Sequence, residues 1–215
     1  KTVFFIIGIL LVILGISMMV PYAMQIIYKE NSHSFISSSF ITIFFGIMFI
    51  LTNIEKEFKL NLQQTFLFST LAWLMIAIFG CLPFLLSPES FSISEAFFES
   101  MSGITTTGAT VITDLDNTPK SILLWRAIMQ WLGGIGIVVM AITILPLLKV
   151  GGMQLFKMEG PDTTEKILPR TIEVATIIIS TYLILTFTCG FFYWFFGMSL
   201  FDSVAHSMTT IATGG

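Results

Sequence analysis

Long apolar runs separated by short polar breaks are the main pattern along this chain. Five runs hold about 20 or more mostly apolar residues, the length that a helix needs to cross a bilayer. They cover residues 3–28, 35–53, 62–86, 122–148 and 170–197. The first run is too long for the apolar region of a signal peptide. The pattern therefore predicts an all-α polytopic membrane protein.

Two further apolar segments are too short to cross. They are "SISEAFFESMSGI" (92–104) and "SLFDSVAHSMTTI" (199–211), and their length is typical of helices that enter a membrane without leaving on the other side. Helix starts are marked by Thr118-Pro119 before the fourth run and by Pro169 before the fifth, because proline is favoured at the first helical position.

The two short segments are versions of one unit. Ser92 aligns with Ser199, 107 residues later, and the same offset aligns Glu95 with Asp202, Thr106 with Thr213 and Gly108 with Gly215. Ser-x-x-Glu or Ser-x-x-Asp predicts a capped helix start, so Ser92, Glu95, Ser199 and Asp202 are expected to be helix caps.

The repeated unit divides the chain into three parts. Residues 1–61 hold two extra N-terminal transmembrane helices. Residues 62–168 hold a full unit of outer helix, short helix, loop and inner helix with its connection, and residues 169–215 hold the same unit only through its loop. We expect further units beyond the second loop, since about four loops are needed to surround an ion.

Charge fits a membrane location. The chain is 55% hydrophobic and only 11% charged, too little for a soluble domain, and its net charge of −3 argues against nucleic acid as a partner. The positive-inside rule places the 54–61 and 149–170 loops in the cytoplasm and the loop 87–121 outside. Cys81 and Cys189 lie in apolar runs and are expected to be small buried hydrophobes.

The stretch "ITTTGAT" after the first short helix carries the candidate chemistry. Thr105, Thr106 and Thr107 are β-branched and favour extended backbone, and Gly108 permits backbone angles that other residues resist. Non-helical backbone at membrane depth must be buried in protein or line a water-filled cavity, and carbonyl oxygens can replace the hydration shell of a cation. The pattern predicts a cation pore, with no catalytic residues and no cofactor.

At these residues the sequence resembles the Trk/Ktr/HKT superfamily of potassium transporters. The matching stretches are "EAFFESMSGITTTGATVI", "WRAIMQWLGGIGIVVMAITILPLLKVGGMQLFKMEGP" and "FDSVAHSMTTIATGG". The resemblance implies two extra helices before four pore units of potassium-channel type, each with one filter glycine, here Gly108 and Gly215. It further implies a multi-pass protein of the cell inner membrane that forms homodimers and is gated by a cytoplasmic nucleotide-binding ring.

The selectivity filter is predicted to comprise nine residues, of which the resemblance marks Gly108 and Gly215 as the filter glycines. The nine residues are Thr105, Thr106, Thr107, Gly108, Ile211, Ala212, Thr213, Gly214 and Gly215. Potassium, the transported ligand, would be held by the backbone carbonyls of Thr106, Thr107, Gly108, Ala212, Thr213 and Gly214. In the family, glycine at the filter positions goes with potassium and serine with sodium.

Several polar residues have two interpretations. Glu99, Asp114 and Asp116 either concentrate cations at the mouth or are simply solvated, and His206 is more consistent with a hydrogen-bonded packing role than with pH sensing. Arg126 is expected to snorkel or to pair with a loop carboxylate.

Three other features also leave alternatives. Gly133 to Gly136 ("GGIG") most simply allows close helix packing, and a gating hinge is the sharper alternative. Pro146 is expected to kink its helix. The basic loop 149–166 is either a partner interface or ordinary juxtamembrane charge.

Two rival functions remain at this point. The first is a secondary active transporter with helices broken at the midplane and coupled to sodium or protons, a class that is built from inverted repeats. The second is an intramembrane enzyme using Glu95, Glu99, Asp202 and His206, for which no metal or nucleophile motif is present.

Overall fold

The computed structural model of the protein describes residues 1–30, 32–54, 62–148 and 164–215, and every regular element in these ranges is a helix. In chain order the helices are α1 (Thr2–Ser17), α2 (Met19–Ile27), α3 (Ser34–Thr52), α4 (Leu62–Gly80), α5 (Leu82–Leu85), α6 (Ile93–Ile104), α7 (Lys120–Leu148), α8 (Thr164–Phe195) and α9 (Leu200–Ile211). The predicted all-α class is confirmed for the part of the chain that is described.

Within those ranges, four helical stretches are long and apolar enough to cross a membrane. They are Thr2–Ile27, Ser34–Thr52, Gln63–Leu85 and Glu173–Phe195, and they match four of the five predicted runs. The fifth run lies in α7, a helix of 29 residues, whose side chains from 138 to 148 are not among those described.

Prolines divide two of the predicted runs. The first run is interrupted at Met18, between α1 and α2, and the third at Cys81, between α4 and α5. Pro21 and Pro83 follow these breaks. Proline has no amide hydrogen to donate to the carbonyl four residues earlier, and its ring crowds that carbonyl. Each interrupted run still forms one candidate span, Thr2–Ile27 and Gln63–Leu85.

The predicted start of the fifth run is wrong. α8 begins at Thr164 and not at Pro169, which lies in the second turn of the helix. As the sixth residue of α8, Pro169 lacks the amide hydrogen that would donate to the carbonyl of residue 165, so the helix continues through this position at a local cost.

The start of α7 is capped by a residue that is distant in sequence. The Thr118 hydroxyl does not cap the helix as predicted but donates to Asp114 O (2.7 Å). Glu30, after α2, instead accepts hydrogen bonds from the Ser121 amide (3.2 Å) and the Ser121 hydroxyl. A carboxylate is favourable at the positive end of a helix dipole. This contact fastens the N-terminal helices to α7.

The two N-terminal helical stretches pack closely through glycines. A Cβ placed on Gly8 of α1 would lie 2.7 Å from Gly46 O of α3, so the two backbones are nearly in contact there. The Ser39 hydroxyl donates to Gly15 O (2.7 Å) at the same interface. Small residues permit this approach between membrane helices, where packing and hydrogen bonds replace the hydrophobic driving force.

Trp125 of α7 is the centre of the main core. Its side chain is fully buried, its indole donates to Gly80 O (3.0 Å), and its ring meets Phe35 of α3 edge-to-face at 6.1 Å. The indole N–H of a buried tryptophan usually donates a hydrogen bond. One residue thus joins the N-terminal helices, α4 and α7.

The short helices α6 and α9 both run in the same direction as α7. Glu99 of α6 pairs with Arg126, and further along both helices Ile104 O faces Gly133. The ring of Phe201, at the start of α9, lies 5.0 Å from Lys120 Nζ, and Ala212 after α9 lies beside Gly134. Gly133 is about 20 Å along an α7 of about 43 Å, at 1.5 Å per residue. Both short helices therefore end near its middle.

Some predicted features lie outside the described residues. They are Lys56, Lys59, the basic loop 149–163 and the side chains of Pro146 and Lys166. Both cysteines are free thiols; Cys81 is buried as predicted, whereas Cys189 is only partly buried.

Candidate ion-conduction site

Side-chain caps fix the start of each short helix. In α6 the Ser92 hydroxyl accepts from the Glu95 amide (3.3 Å) and Glu95 Oε2 accepts from the Ser92 amide (2.8 Å), a complete capping box. The Ser92 hydroxyl also donates to Glu95 Oε2 (2.7 Å), and this hydrogen bond, followed by the one from the Ser92 amide, lowers the pKa of Glu95. In α9 the Ser199 hydroxyl accepts from the Asp202 amide (3.1 Å), and Asp202 Oδ2 accepts from the Ser199 hydroxyl (2.6 Å).

Each short helix ends in a Schellman motif, with threonine at the left-handed position. After α6 the Thr107 amide donates to Ser102 O (3.0 Å) and the Thr106 amide to Gly103 O (2.9 Å); after α9 the Gly214 amide donates to Thr209 O and the Thr213 amide to Thr210 O, both at 3.0 Å. Thr106 has φ of 58° and Thr213 has φ of 61°. Glycine is usual at this position, because a β-branched residue is strained there.

Left-handed residues recur in both loops at the same register. Gly108 has φ of 76° and Gly215 has φ of 79°, so the two loops have nearly the same backbone angle at this position. The predicted extended backbone is wrong at Thr105, with φ of −81° and ψ of 2°, and at the left-handed Thr106, because both residues form the turn that ends α6. In the first loop the four amides from Thr105 to Gly108 all donate to the last turn of α6. The amides therefore face the helix.

The carbonyl oxygens of the loops are left without such partners. Within the described ranges, no hydrogen bond reaches the carbonyls of Thr106, Thr107, Gly108, Ala212, Thr213 or Gly214. All of these residues except Ala212 are partly or fully exposed, so a cation or water can reach the carbonyl oxygens and serve as their partner. The C-terminal ends of α6 and α9, which are the negative ends of their dipoles, both lie beside the middle of α7, at Gly133 and Gly134.

The two loops touch. A Cβ on Gly108 would lie 1.7 Å from Gly214 O, and a Cβ on Gly214 would lie 3.3 Å from Thr106 O. Any side chain at Gly108 would have to push the second loop away. A Cβ on Gly215 would meet nothing within 4 Å among the described residues.

Glycines of α7 hold both loops at this depth. A Cβ on Gly133 would lie 2.0 Å from Ile104 O, at the end of α6, and one on Gly134 would lie 3.3 Å from the Cα of Ala212, after α9. The nearest atom to a Cβ on Gly136 is 4.0 Å away, in Trp73. The first two glycines of "GGIG" thus serve close packing, and the third has free space.

Glu99 has a role that the sequence did not predict. Its side chain is fully buried, and its carboxylate accepts from Arg126 Nε, the Thr110 hydroxyl and the Val111 amide, all at 2.6 Å. Glu99 is therefore not solvated, and the predicted pairing of Arg126 with a carboxylate of the 87–121 loop is confirmed, with Glu99 as the partner. The sequence did contain a signal for this role: Glu99 is a charged residue within a short apolar helix, and a buried glutamate almost always has a charged or hydrogen-bonding partner.

The remaining acidic residues and His206 are not gathered into one site. Asp114 and Asp116 are exposed, and Asp114 Oδ2 accepts from Asn117 Nδ2 (2.8 Å). The ring of His206 is exposed and makes no hydrogen bond within the described residues, so the predicted packing role is wrong here. The described residues include no cluster of three or more His, Cys, Asp or Glu side chains that would hold a metal ion.

Comparison with known proteins identifies the family. A family model described as "TrkH: Cation transport protein" matches residues 31–215. The chain belongs to the TrkH family of cation transport proteins. It is therefore part of a membrane transport family and not of an enzyme family.

Named relatives share about two fifths of its residues. It is 40% identical to the Trk system potassium uptake protein TrkH of Vibrio parahaemolyticus, over 100% of this chain and 45% of the relative. The protein of the same name from Escherichia coli K12 is also 40% identical, over 98% of this chain and 44% of the relative. The crystal structure of the potassium transporter TrkH from Vibrio parahaemolyticus superimposes with a TM-score of 0.87 at 38% identity, over 100% of this chain and 43% of that one.

The chain thus spans a little under half the length of the TrkH relatives it matches. The match of fold and family establishes an all-helical, multi-pass membrane protein.

Proposed function

We propose that this protein conducts potassium ions across the cell inner membrane through a passage lined by backbone carbonyl oxygens. The carbonyls of Thr106, Thr107, Gly108, Ala212, Thr213 and Gly214 form the part of the selectivity filter that this chain supplies. The observation that carries the proposal is the shared loop conformation, in which the amides turn into the short helix and leave the carbonyls without partners. Such carbonyls replace the hydration shell of a cation.

The choice of potassium is supported by the relatives, which are named potassium uptake proteins. Glycine at 108 and 215 agrees with this choice, since the family resemblance associates serine there with sodium. Two loops enclose only part of an ion, so the complete filter is proposed to use four units of outer helix, short helix, loop and inner helix.

The surroundings of the filter are proposed from the resemblance. The loops open to the extracellular or periplasmic side, because the cytoplasm is assigned to the segments richer in lysine and arginine. The transporter acts as a homodimer in which each protomer has its own pore, and a cytoplasmic nucleotide-binding ring gates it.

The rival secondary transporter is disfavoured by the direction of the helices. A class built from inverted repeats places its two broken helices in opposite directions. Here α6 and α9 both run alongside α7 from its N-terminal end to its middle. This is the parallel relation that a ring of equivalent loops requires.

The test is a change of one filter glycine. Gly108→Ser, in the full-length protein, is expected to lower the ratio of potassium to sodium uptake by about tenfold, because the new Cβ forces Gly214 O away and alters the spacing of the carbonyls. Uptake of both ions is measured in cells that lack other potassium uptake systems. Gly136→Ser is the matched control, since Gly136 has free space. An unchanged ion preference in Gly108→Ser would remove the filter assignment.

A further inference from the structure

Gln130 lies on the face of α7 that meets the two loops. It precedes Gly133 and Gly134 by three and four residues, so all three lie on one side of the helix. Its side chain is only 3% exposed.

The carboxamide of Gln130 lies where the two loops meet, beside Gly214 of the second loop and Thr106 of the first. The position of a Cβ on Gly214 would be 2.5 Å from Gln130 Oε1 and 3.3 Å from Thr106 O. The Gln130 oxygen therefore lies against the Cα of Gly214, next to a filter carbonyl from the other loop. Weak Cα–H···O contacts of this kind are known at close backbone approaches.

Gln130 Oε1 has no hydrogen-bond donor among the described residues. Burying an amide oxygen without a donor costs free energy, and an apolar side chain of the same length would avoid this cost. The oxygen instead adds a fixed negative dipole beside Thr106 O and Gly214 O. In a site of low dielectric such a dipole acts strongly on a nearby cation.

We propose that Gln130 is a specificity-determining residue of the pore: its carboxamide sets the spacing between Thr106 O and Gly214 O and its oxygen strengthens their field. This inference rests on the proposed function. Under this proposal, a side chain of α7, the inner helix of the first unit, positions the loop of the second unit. The ion preference then depends on side chains as well as on the filter backbone.

The chain offers a matched control for this proposal. Gln25 is also 3% exposed and also has an Oε1 without a donor, but it lies in α2, where its amide nitrogen donates to Ser34 Oγ (3.1 Å). Gln25→Met and Gln130→Met remove the same group from two equally buried places. Only the second place adjoins the loops.

Uptake of potassium and sodium is measured for both variants in the full-length protein, with the amount in the membrane and the melting temperature determined in parallel. Gln130→Met is expected to lower the potassium-to-sodium ratio about tenfold, equivalent to ~1.4 kcal/mol between the ions. Gln25→Met is expected to retain the wild-type ratio. Gln130→Asn, which withdraws the carboxamide by one methylene, is expected to lower the ratio as well and is decisive if Gln130→Met does not accumulate.

A wild-type ratio in the Gln130 variants, or an equal fall in Gln25→Met, would overturn the inference. The two levels of proposal fail differently. If wild type shows no preference for potassium, or Gly108→Ser leaves the preference unchanged, the proposed function fails. If wild type and Gly108→Ser behave as proposed and the Gln130 variants match wild type, only the role of Gln130 fails.

Discussion

The loops that follow α6 and α9 turn through the same left-handed positions but are supported by different contacts. The short helix before each loop begins at a capping serine and has 12 residues, and each loop starts with a left-handed threonine. After α6, the buried Glu99 accepts hydrogen bonds from Thr110 and Val111, where the chain leaves the loop, and pairs with Arg126. The residue aligned with Glu99 in α9 is His206, which is exposed. Local sequence therefore determines the shape of a loop, and contacts from other helices determine where that shape is held.

The largest expected effect comes from breaking the support of the first loop. Glu99→Gln leaves the Arg126 guanidinium, whose side chain is 13% exposed, without its counter-charge. Removing one partner of a buried ion pair typically costs about 3–5 kcal/mol. The free energy of unfolding of the purified protein should fall by about that amount, and potassium uptake should fall with it.

His206→Gln is the matched change in the second loop. It should alter stability by less than about 0.5 kcal/mol, since His206 is exposed. Glu99→Gln combined with Arg126→Met removes both charges and should recover part of the loss, because an apolar replacement of an ion pair is often neutral. Equal effects of Glu99→Gln and His206→Gln would contradict the difference between the loops.

The next effect separates the two loops at their contact with α7. Gly133→Ala forces a Cβ to within 2.0 Å of Ile104 O and should destabilise the protein by about 1–3 kcal/mol through overpacking. Gly134→Ala acts on the second loop, at Ala212 and the Tyr182 hydroxyl, and should cost less because Tyr182 is a side chain that can move. Thermal unfolding of each variant measures the difference.

Gly136→Ala is the control within the same motif. Its Cβ meets no atom closer than 4.0 Å, so the better helix propensity of alanine should raise stability by up to about 1 kcal/mol. This change also tests the hinge interpretation of "GGIG". A loss of gated uptake in a stabilised Gly136→Ala protein would favour a hinge at that residue.

Features fixed by local chemistry could be predicted from the sequence. Apolar length predicted the four candidate spans, Ser-x-x-Glu predicted the start of α6, and the 107-residue offset aligned Thr106 with Thr213. Each of these depends on a few neighbouring residues. The family resemblance supplied the identification of Gly108 and Gly215 as filter glycines and the choice of potassium.

Contacts between distant segments could not be predicted in this way. Glu30 caps α7 across 91 residues, and Glu99 pairs with Arg126 across 27. The sequence shows that a buried charge needs a partner, but several carboxylates were equally available to Arg126. The breaks at Met18 and Cys81, by contrast, follow from nearby prolines that are visible in the sequence and that apolar length alone overlooks.

The smallest expected effect exchanges the caps of the two short helices. Glu95→Asp gives α6 the shorter carboxylate of α9, which should lose the hydrogen bond from the Ser92 amide; Asp202→Glu gives α9 a side chain long enough to accept from the Ser199 amide. The first change should lower the melting temperature by about 1 °C and the second should raise it by about as much.

The acid dependence of the first cap gives this exchange a second readout. Hydrogen bonds from Ser92 lower the pKa of Glu95 in the folded protein, so ionised Glu95 stabilises α6 at neutral pH. That contribution is present above the pKa of the unfolded chain and is lost as the pH falls through the lower folded-state pKa. Glu95→Gln removes it, so its melting temperature should fall less than that of wild type from about pH 5 downward. If the melting temperatures of wild type and Glu95→Gln fell equally with pH across this range, the carboxylate of Glu95 would not contribute to the cap. The start of α6 would then depend on Ser92 alone.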